Sequence, residues 1–225
     1  MLNLRNRIID KIKSNPTYLY ILLYCLFLIV LSLFRDAKAD ETYYIKEATL
    51  IAELIKNGIW IGDYGVGLHG FLFKLPVAIS LIILGKPSVF IATLFTILLS
   101  IGSLMLFYKI VKDFFLKGKY VFWTTVLLSV TLYFINISLS FNRDIPAIFM
   151  VLLFLYLFLK NKSSWLIGLS FLLMFDAKEH VFLTVAPLYF IYLLLNEITN
   201  FKRSSIKEAL IRIVRSSFAP RDLDA

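Results

Sequence analysis

Residues 39–74 read ADETYYIKEATLIAELIKNGIWIGDYGVGLHGFLFK, the one long polar interruption in a chain otherwise built of apolar runs. The stretch opens on adjacent carboxylates, Asp40 and Glu41, at the mouth of the first hydrophobic segment. From Asp40 the spacing is helical: Tyr44, Ala48, Ile51 and Ile55 share a stripe, while Lys46, Glu47, Glu53 and Lys56 lie off it. Asp40 suits the N-cap of this helix and Gly58 its C-terminal stop. So polar a helix does not span a bilayer and is expected to lie in the interface. Ile59, Trp60, Ile61 and Tyr64 then form an aromatic edge at headgroup depth. A glycine-rich turn carries the chain on to His69 and Lys74, where it becomes apolar again.

Working outward, the 225 residues are 60% hydrophobic and 17% charged, with a mean hydropathy of +0.81. A water-facing surface needs about 25% charged residues, so the composition describes a multi-pass membrane protein. The formal charge of +9 does not mark a nucleic-acid binder. Lysines and arginines gather in short loops between apolar runs, as the positive-inside rule expects. The single cysteine, Cys25, lies inside an apolar run, which excludes a disulfide framework or thiolate metal site and leaves it a packing role. The basic N-terminus, residues 1–17, precedes an apolar run at 18–34 with no small-residue cleavage site, and reads as an uncleaved signal anchor with a cytoplasmic N-terminus.

Residues 71–84 decide the topology. They are apolar apart from Lys74 and Ser80, but short, and they carry Pro76. If they span, the run at 88–110 travels outward and puts Lys109, Lys112, Lys117 and Lys119 outside, against the charge rule. If they are re-entrant or interfacial, every later loop agrees with it. The second reading gives an all-α polytopic membrane bundle of about six transmembrane helices: 18–34, 88–110, 121–140, 145–159, 165–175 and 181–195. Residues 18–196 form one module, with 35–87 its first outer loop. Several runs are shorter than 18 residues and must borrow polar neighbours or thin the bilayer. Residues 197–225 form a basic cytoplasmic tail, amphipathic over 204–215. The acceptor patterns at Asn136 and Asn161 lie near a span and in a cytoplasmic loop, and are read as chance matches.

This topology gathers Asp40, Glu41, His69, Lys74, Arg143, Asp144, Lys178, Glu179 and His180 on the outer side. Charges at membrane depth are costly and usually line a cavity or pair with one another. Carboxylates beside basic groups suit transfer chemistry: an acid deprotonates a hydroxyl while a cation neutralises a departing phosphate. The bland alternative is helix-end charges snorkelling to water. His69 has no second convincing ligand nearby for a metal, and the glycines at 62–70 lack the Gly-Lys-Ser/Thr end of a phosphate loop.

Asp40-Glu41-Thr-Tyr-Tyr, the helix ending at Asn57-Gly58, and Leu68-His69-Gly70-Phe-Leu-Phe-Lys74 together resemble the first outer loop of C-type membrane glycosyltransferases. The nearest branch is the protein O-mannosyltransferase and lipid A aminoarabinose transferase group. Asn142-Arg143-Asp144-Ile-Pro is similar to their second outer loop, and Ala177-Lys178-Glu179-His180 to a later lysine-containing bend. The resemblance implies transfer of a sugar from a polyprenyl-phosphate donor to an acceptor on the outer face of the cell membrane. By position, Asp40 would be the general base with Glu41 supporting it, and Asp144 a second cavity acid. Lys74 would contact the carrier phosphate, with His69, Arg143, Lys178 and His180 as further substrate-binding residues. Gly70 stands where the family often has proline after the histidine. No cofactor is required by the resemblance, and a divalent cation is compatible with it. Family members continue through further spans and often an outer soluble domain. The chain is therefore expected to be their N-terminal module, with a second polypeptide as a partner that would complete the enzyme, besides donor and membrane lipid. Two other readings stand beside this one: a non-catalytic or truncated partner retaining the scaffold, and a small ion-coupled transporter, against which counts the lack of an inverted repeat.

Overall fold

The computed structural model describes residues 15–36, 39–59, 70–85 and 89–200. Among these the chain is helical, without a strand: α1 (Pro16–Ser32), α2 (Ala39–Lys56), α3 (Phe71–Leu84), α4 (Val89–Ile110), α5 (Lys119–Ser129), α6 (Leu132–Leu139), α7 (Asp144–Leu159), α8 (Ser164–Ala177) and α9 (Glu179–Asn200). A π-helical stretch, Val111–Phe115, prolongs α4. The basic N-terminus, the turn holding His69 and the amphipathic tail lie outside the described residues.

The bundle is organised around α4. Ala92, Thr93, Thr96, Ile97, Ser100, Ser103 and Leu104 are all buried along it. Helices in lipid gain little from the hydrophobic effect, so close approach over small residues has to hold them. The buried hydroxyls meet this need by donating to carbonyls of their own helix, as Ser100 does to Thr96 at 2.8 Å. Thr96 also donates across to Ser138 O of α6 at 3.0 Å. Gly102 lets α7 come closest: a Cβ there would sit 2.7 Å from the Phe149 ring. On another side α1 joins Ile21, Tyr24 and Leu28 to a core containing Ile97, Leu104, Phe134, Ile137 and Ile145, with Cys25 packed at its edge.

The span expected over 121–140 is broken. α5 and α6 meet at 62° across Val130 and Thr131. Thr131 is extended and caps α6 by accepting Phe134 N–H at 3.2 Å. The break strands a carbonyl, Ser129 O, which takes the buried Tyr24 hydroxyl at 2.8 Å. Tyr20 bonds the Ser129 hydroxyl. Two tyrosines of α1 thus satisfy a kink that hydropathy alone smooths over.

Six full spans are not seen among the described residues. Among the described residues, α4 with its π extension (Val89–Phe115) is long and apolar enough to cross a bilayer, joined by the bent α5–α6 pair if that counts as one span. α1, α7 and α8 have 17, 16 and 14 residues, about 26, 24 and 21 Å at 1.5 Å per residue against a core of about 30 Å.

α2 and α3 form a separate layer. Their bounds agree with the expected interfacial helix and the expected short apolar segment. α2 ends at a complete Schellman turn: Gly58, at φ +67°, donates to Ile55 O, and Ile59 donates to Leu54 O. Asp40 is not the N-cap, because α2 already starts at Ala39 and Asp40 falls inside its first turn. The buried stripe is also rotated from the expected one. Ile45, Ala48, Ile51, Ala52 and Leu54 are buried, and Ile55 is exposed, because the apolar partner is α3 and the residues are chosen by its position. Phe73, Val77, Ala78 and Leu81 complete that core. The two helices run in the same direction, since Tyr44 meets Phe73, Glu47 meets Lys74, and Ala52, Glu53 and Lys56 share a cavity wall with Leu81, Ile82 and Gly85.

Charge is sorted to the two ends. At the C-terminal end of α7, Lys160 pairs with Asp113 at 2.9 Å and Lys109 lies over the Tyr156 ring. At its N-terminal end stand Arg143, Asp144 and Lys178. Sixteen helical residues separate these ends by about 24 Å.

Candidate functional site

The end of the bundle that carries Asp144 is where the acidic and basic residues of four separate segments meet. Glu41, in the first turn of α2, is buried with 1% exposure. It pairs with Arg35, which follows α1, and accepts the Phe141 N–H at 2.6 Å. Phe141 is itself fully buried against Phe73 of α3, with ring centroids 4.6 Å apart. Glu41 therefore ties the α1–α2 connection to the segment before α7. Asp40, one position earlier, points the other way and is exposed. Two adjacent residues on a helix are about 100° apart, so one carboxylate can be locked inward while its neighbour faces out.

Lys74 is buried, an expensive place for an ammonium unless it is paired. It reaches Glu47 of α2 at 2.7 Å, one face of its surroundings being the Tyr44 ring, 5.8 Å away. Burial raises the Tyr44 hydroxyl pKa; Arg143 opposes this, and Glu47, Asp40 and Asp144 add to it. Tyr44 thus stands amid charged groups both of α2 and of the start of α7.

Arg143 is the hub of the third segment. Its Nε donates to Ala177 O at 2.6 Å, and its Nη2 pairs with Glu179. Gly70, just before α3, lies against it: a Cβ there would come 3.4 Å from Arg143 Nε. The left-handed backbone of Gly70, φ +73°, gives a second reason for glycine. Asp144 starts α7, its N–H donating to Asn142 Oδ1 at 3.0 Å, and its carboxylate accepts Lys178 Nζ at 2.5 Å. Beside that pair opens a cavity of about 260 Å³ with otherwise apolar walls, among them Ala147, Ile148, Val151 and Val181. Lys178 is part-exposed, and His180, in the first turn of α9, is exposed. Among the described residues no three His, Cys, Asp or Glu side chains gather to hold a metal ion.

The structure brings Glu41, Lys74, Arg143, Asp144, Lys178 and Glu179 into one end of the fold. Asp40 and His180 lie at its exposed rim, and His69 is outside the described residues. Sequence reasoning did not single out Arg35, Glu47 or Asp176. The signal for Glu47 was available: it stands three residues after Tyr44, on the edge of the face that meets α3.

Comparison with protein families finds a match to the dolichyl-phosphate-mannose-protein mannosyltransferase family over residues 69–220. That is more than half of the chain, which belongs to this family of C-type glycosyltransferases. The match starts at His69, so Lys74, Arg143, Asp144, Lys178 and His180 fall within it and Asp40 and Glu41 ahead of it. Comparisons with curated proteins and with solved structures give no match.

Proposed function

We propose, with that family membership as premise, that the chain transfers a sugar from a polyprenyl-phosphate donor to a hydroxyl acceptor, using the charged end of the bundle on the outer face of the membrane. The carrying observation is the cavity beside Asp144 and Lys178. A cationic and acidic mouth with apolar walls is the shape an anionic headgroup on an isoprenoid chain requires. Lys178, with Arg143 behind it, meets the phosphate and offsets the charge that develops on it as the anomeric C–O bond breaks. Asp40, exposed on a helix that Glu41 holds rigid, takes the acceptor proton, and the acceptor oxygen forms the new bond to the anomeric carbon. Asp144 gives up Lys178 to the phosphate and becomes the second acid of the cavity. Lys74, buried on Glu47 and Tyr44 and outside the cavity's lining, reaches the carrier phosphate by leaving that pair. A second polypeptide completing the enzyme remains part of this proposal, so turnover is measured in membranes that hold the full assembly.

The test follows labelled sugar from a synthetic polyprenyl-phosphate donor. Asp40→Asn is expected to cost about 100- to 10,000-fold in rate without changing membrane insertion or thermal stability. Lys178→Gln should weaken donor binding. Full transfer by Asp40→Asn would remove Asp40 as base. Substrate flux through liposomes without any lipid-linked sugar would replace transfer by transport.

A further inference from the structure

We propose that Asp176 is a positioning residue: its carboxylate latches the N-terminus of α3 onto the last turn of α8 and so sets the place of Lys74 and Arg143. The first N–H groups of any helix have no partner within it. In α3 the residue at the cap is Gly70, which has no side chain to offer. The missing acceptor comes from more than a hundred residues away. Asp176 Oδ2 accepts the Leu72 N–H at 3.0 Å, and the flanking Phe71 and Phe73 N–H groups favour its charged form. A negative charge there also faces the positive end of the α3 dipole.

The turn that supplies this carboxylate also grips Arg143. Asp176 O and Ala177 O both accept from the guanidinium, at 3.5 and 2.6 Å. One short piece of chain therefore holds the start of α3 by a side chain and Arg143 by its backbone. Gly70, wedged against Arg143, closes the third side. Lys74, one turn into α3, is carried to Glu47 by this arrangement. Burial pushes the Asp176 carboxyl pKa up, while the three N–H groups and Arg143 pull it down. An uncharged acceptor of the same shape should thus serve the latch as well as the carboxylate does.

The link to transfer rests on the function proposed above; the latch does not. Hydrogen exchange of the full-length protein in nanodiscs reads the latch directly. Asp176→Ala is expected to lower protection at Leu72 and Phe73 by roughly 2- to 30-fold, the range for losing a helix cap, with α4 amides unchanged. Asp176→Asn should restore protection. If Asp176→Ala does not fold, Asp176→Ser, with a shorter acceptor, should give partial protection. Unchanged exchange at Leu72 and Phe73, or an equal rise throughout α4, overturns the latch. In the turnover assay Asp176→Ala should lose rate and Asp176→Asn recover it. Protection that falls while the rate stays at the parent level overturns the positioning role. A parent protein with an intact latch and no turnover overturns the transfer reading instead.

Discussion

Replacing Glu41 by alanine tests the idea that the first acidic pair is divided between a structural and a chemical residue. The side chain is 1% exposed, and its partner Arg35 14%. Removing one member of a buried ion pair leaves an uncompensated charge and costs about 3–5 kcal/mol. The Phe141 N–H, which Glu41 accepts at 2.6 Å, loses its partner too, and an orphaned buried donor costs about 1–3 kcal/mol. Arg35 can turn partly to water, which trims the first contribution, so about 3–5 kcal/mol is expected for the whole. In a chain of this length that corresponds to a fall of roughly 6–20 °C in unfolding midpoint, measured by thermal unfolding in detergent. Glu41→Gln keeps an acceptor for Phe141 and should lose about half as much. Arg35→Ala with Glu41→Ala should cost clearly less than the two single changes added, because the pair is coupled. A midpoint within about 2 °C of the parent for Glu41→Ala, or strict additivity with Arg35→Ala, would refute the buried tie and return Glu41 to the reactive side.

Further expectations follow from single contacts. Gly102→Ala would place a Cβ 2.7 Å from the Phe149 ring; it should cost about 1–3 kcal/mol, and Phe149→Leu should recover most of it in the same unfolding assay. Sidedness is read by labelling with an impermeant thiol reagent after Cys25→Ser: Asn142→Cys should react from outside, while Gly118→Cys and Ser163→Cys should not. Outside reaction at Gly118→Cys would mean that α3 spans. Asp176 gives a pH dependence of fixed sign. Its folded carboxyl titrates above the ordinary value of 3.8, so the folded state binds the proton more tightly and the parent loses stability as pH rises through the window above 3.8. Asp176→Asn should therefore gain on the parent at neutral pH and show no gain below about pH 4. An advantage that grows toward acid would reverse the assignment.

The amino-acid sequence by itself determined what depends on local composition. Apolar runs punctuated by lysine loops make an all-helical membrane chain, and α2 and α3 could be bounded closely because Asn57-Gly58 and Gly85 end helices by backbone chemistry. The gathering of Lys74, Arg143, Asp144 and Lys178 at one end was also legible, since the lysine loops at 109–119 and 160–162 claim the opposite side. Only tertiary structure decided which partner each charge takes. Nothing in Asp40-Glu41 tells which carboxylate is buried; Arg35 and the Phe141 N–H settle it. The 121–140 run holds no charge, glycine or proline to mark a break, and the one it has is satisfied by Thr131 as a cap and by the tyrosines of α1 that receive Ser129. Asp176 could not be tied to Leu72, because a cap supplied from another helix leaves no periodicity or spacing to read. Helix formation draws on neighbours within four residues; in a water-poor interior every remaining polar group must find its partner across space, and that search is resolved only when the helices have packed.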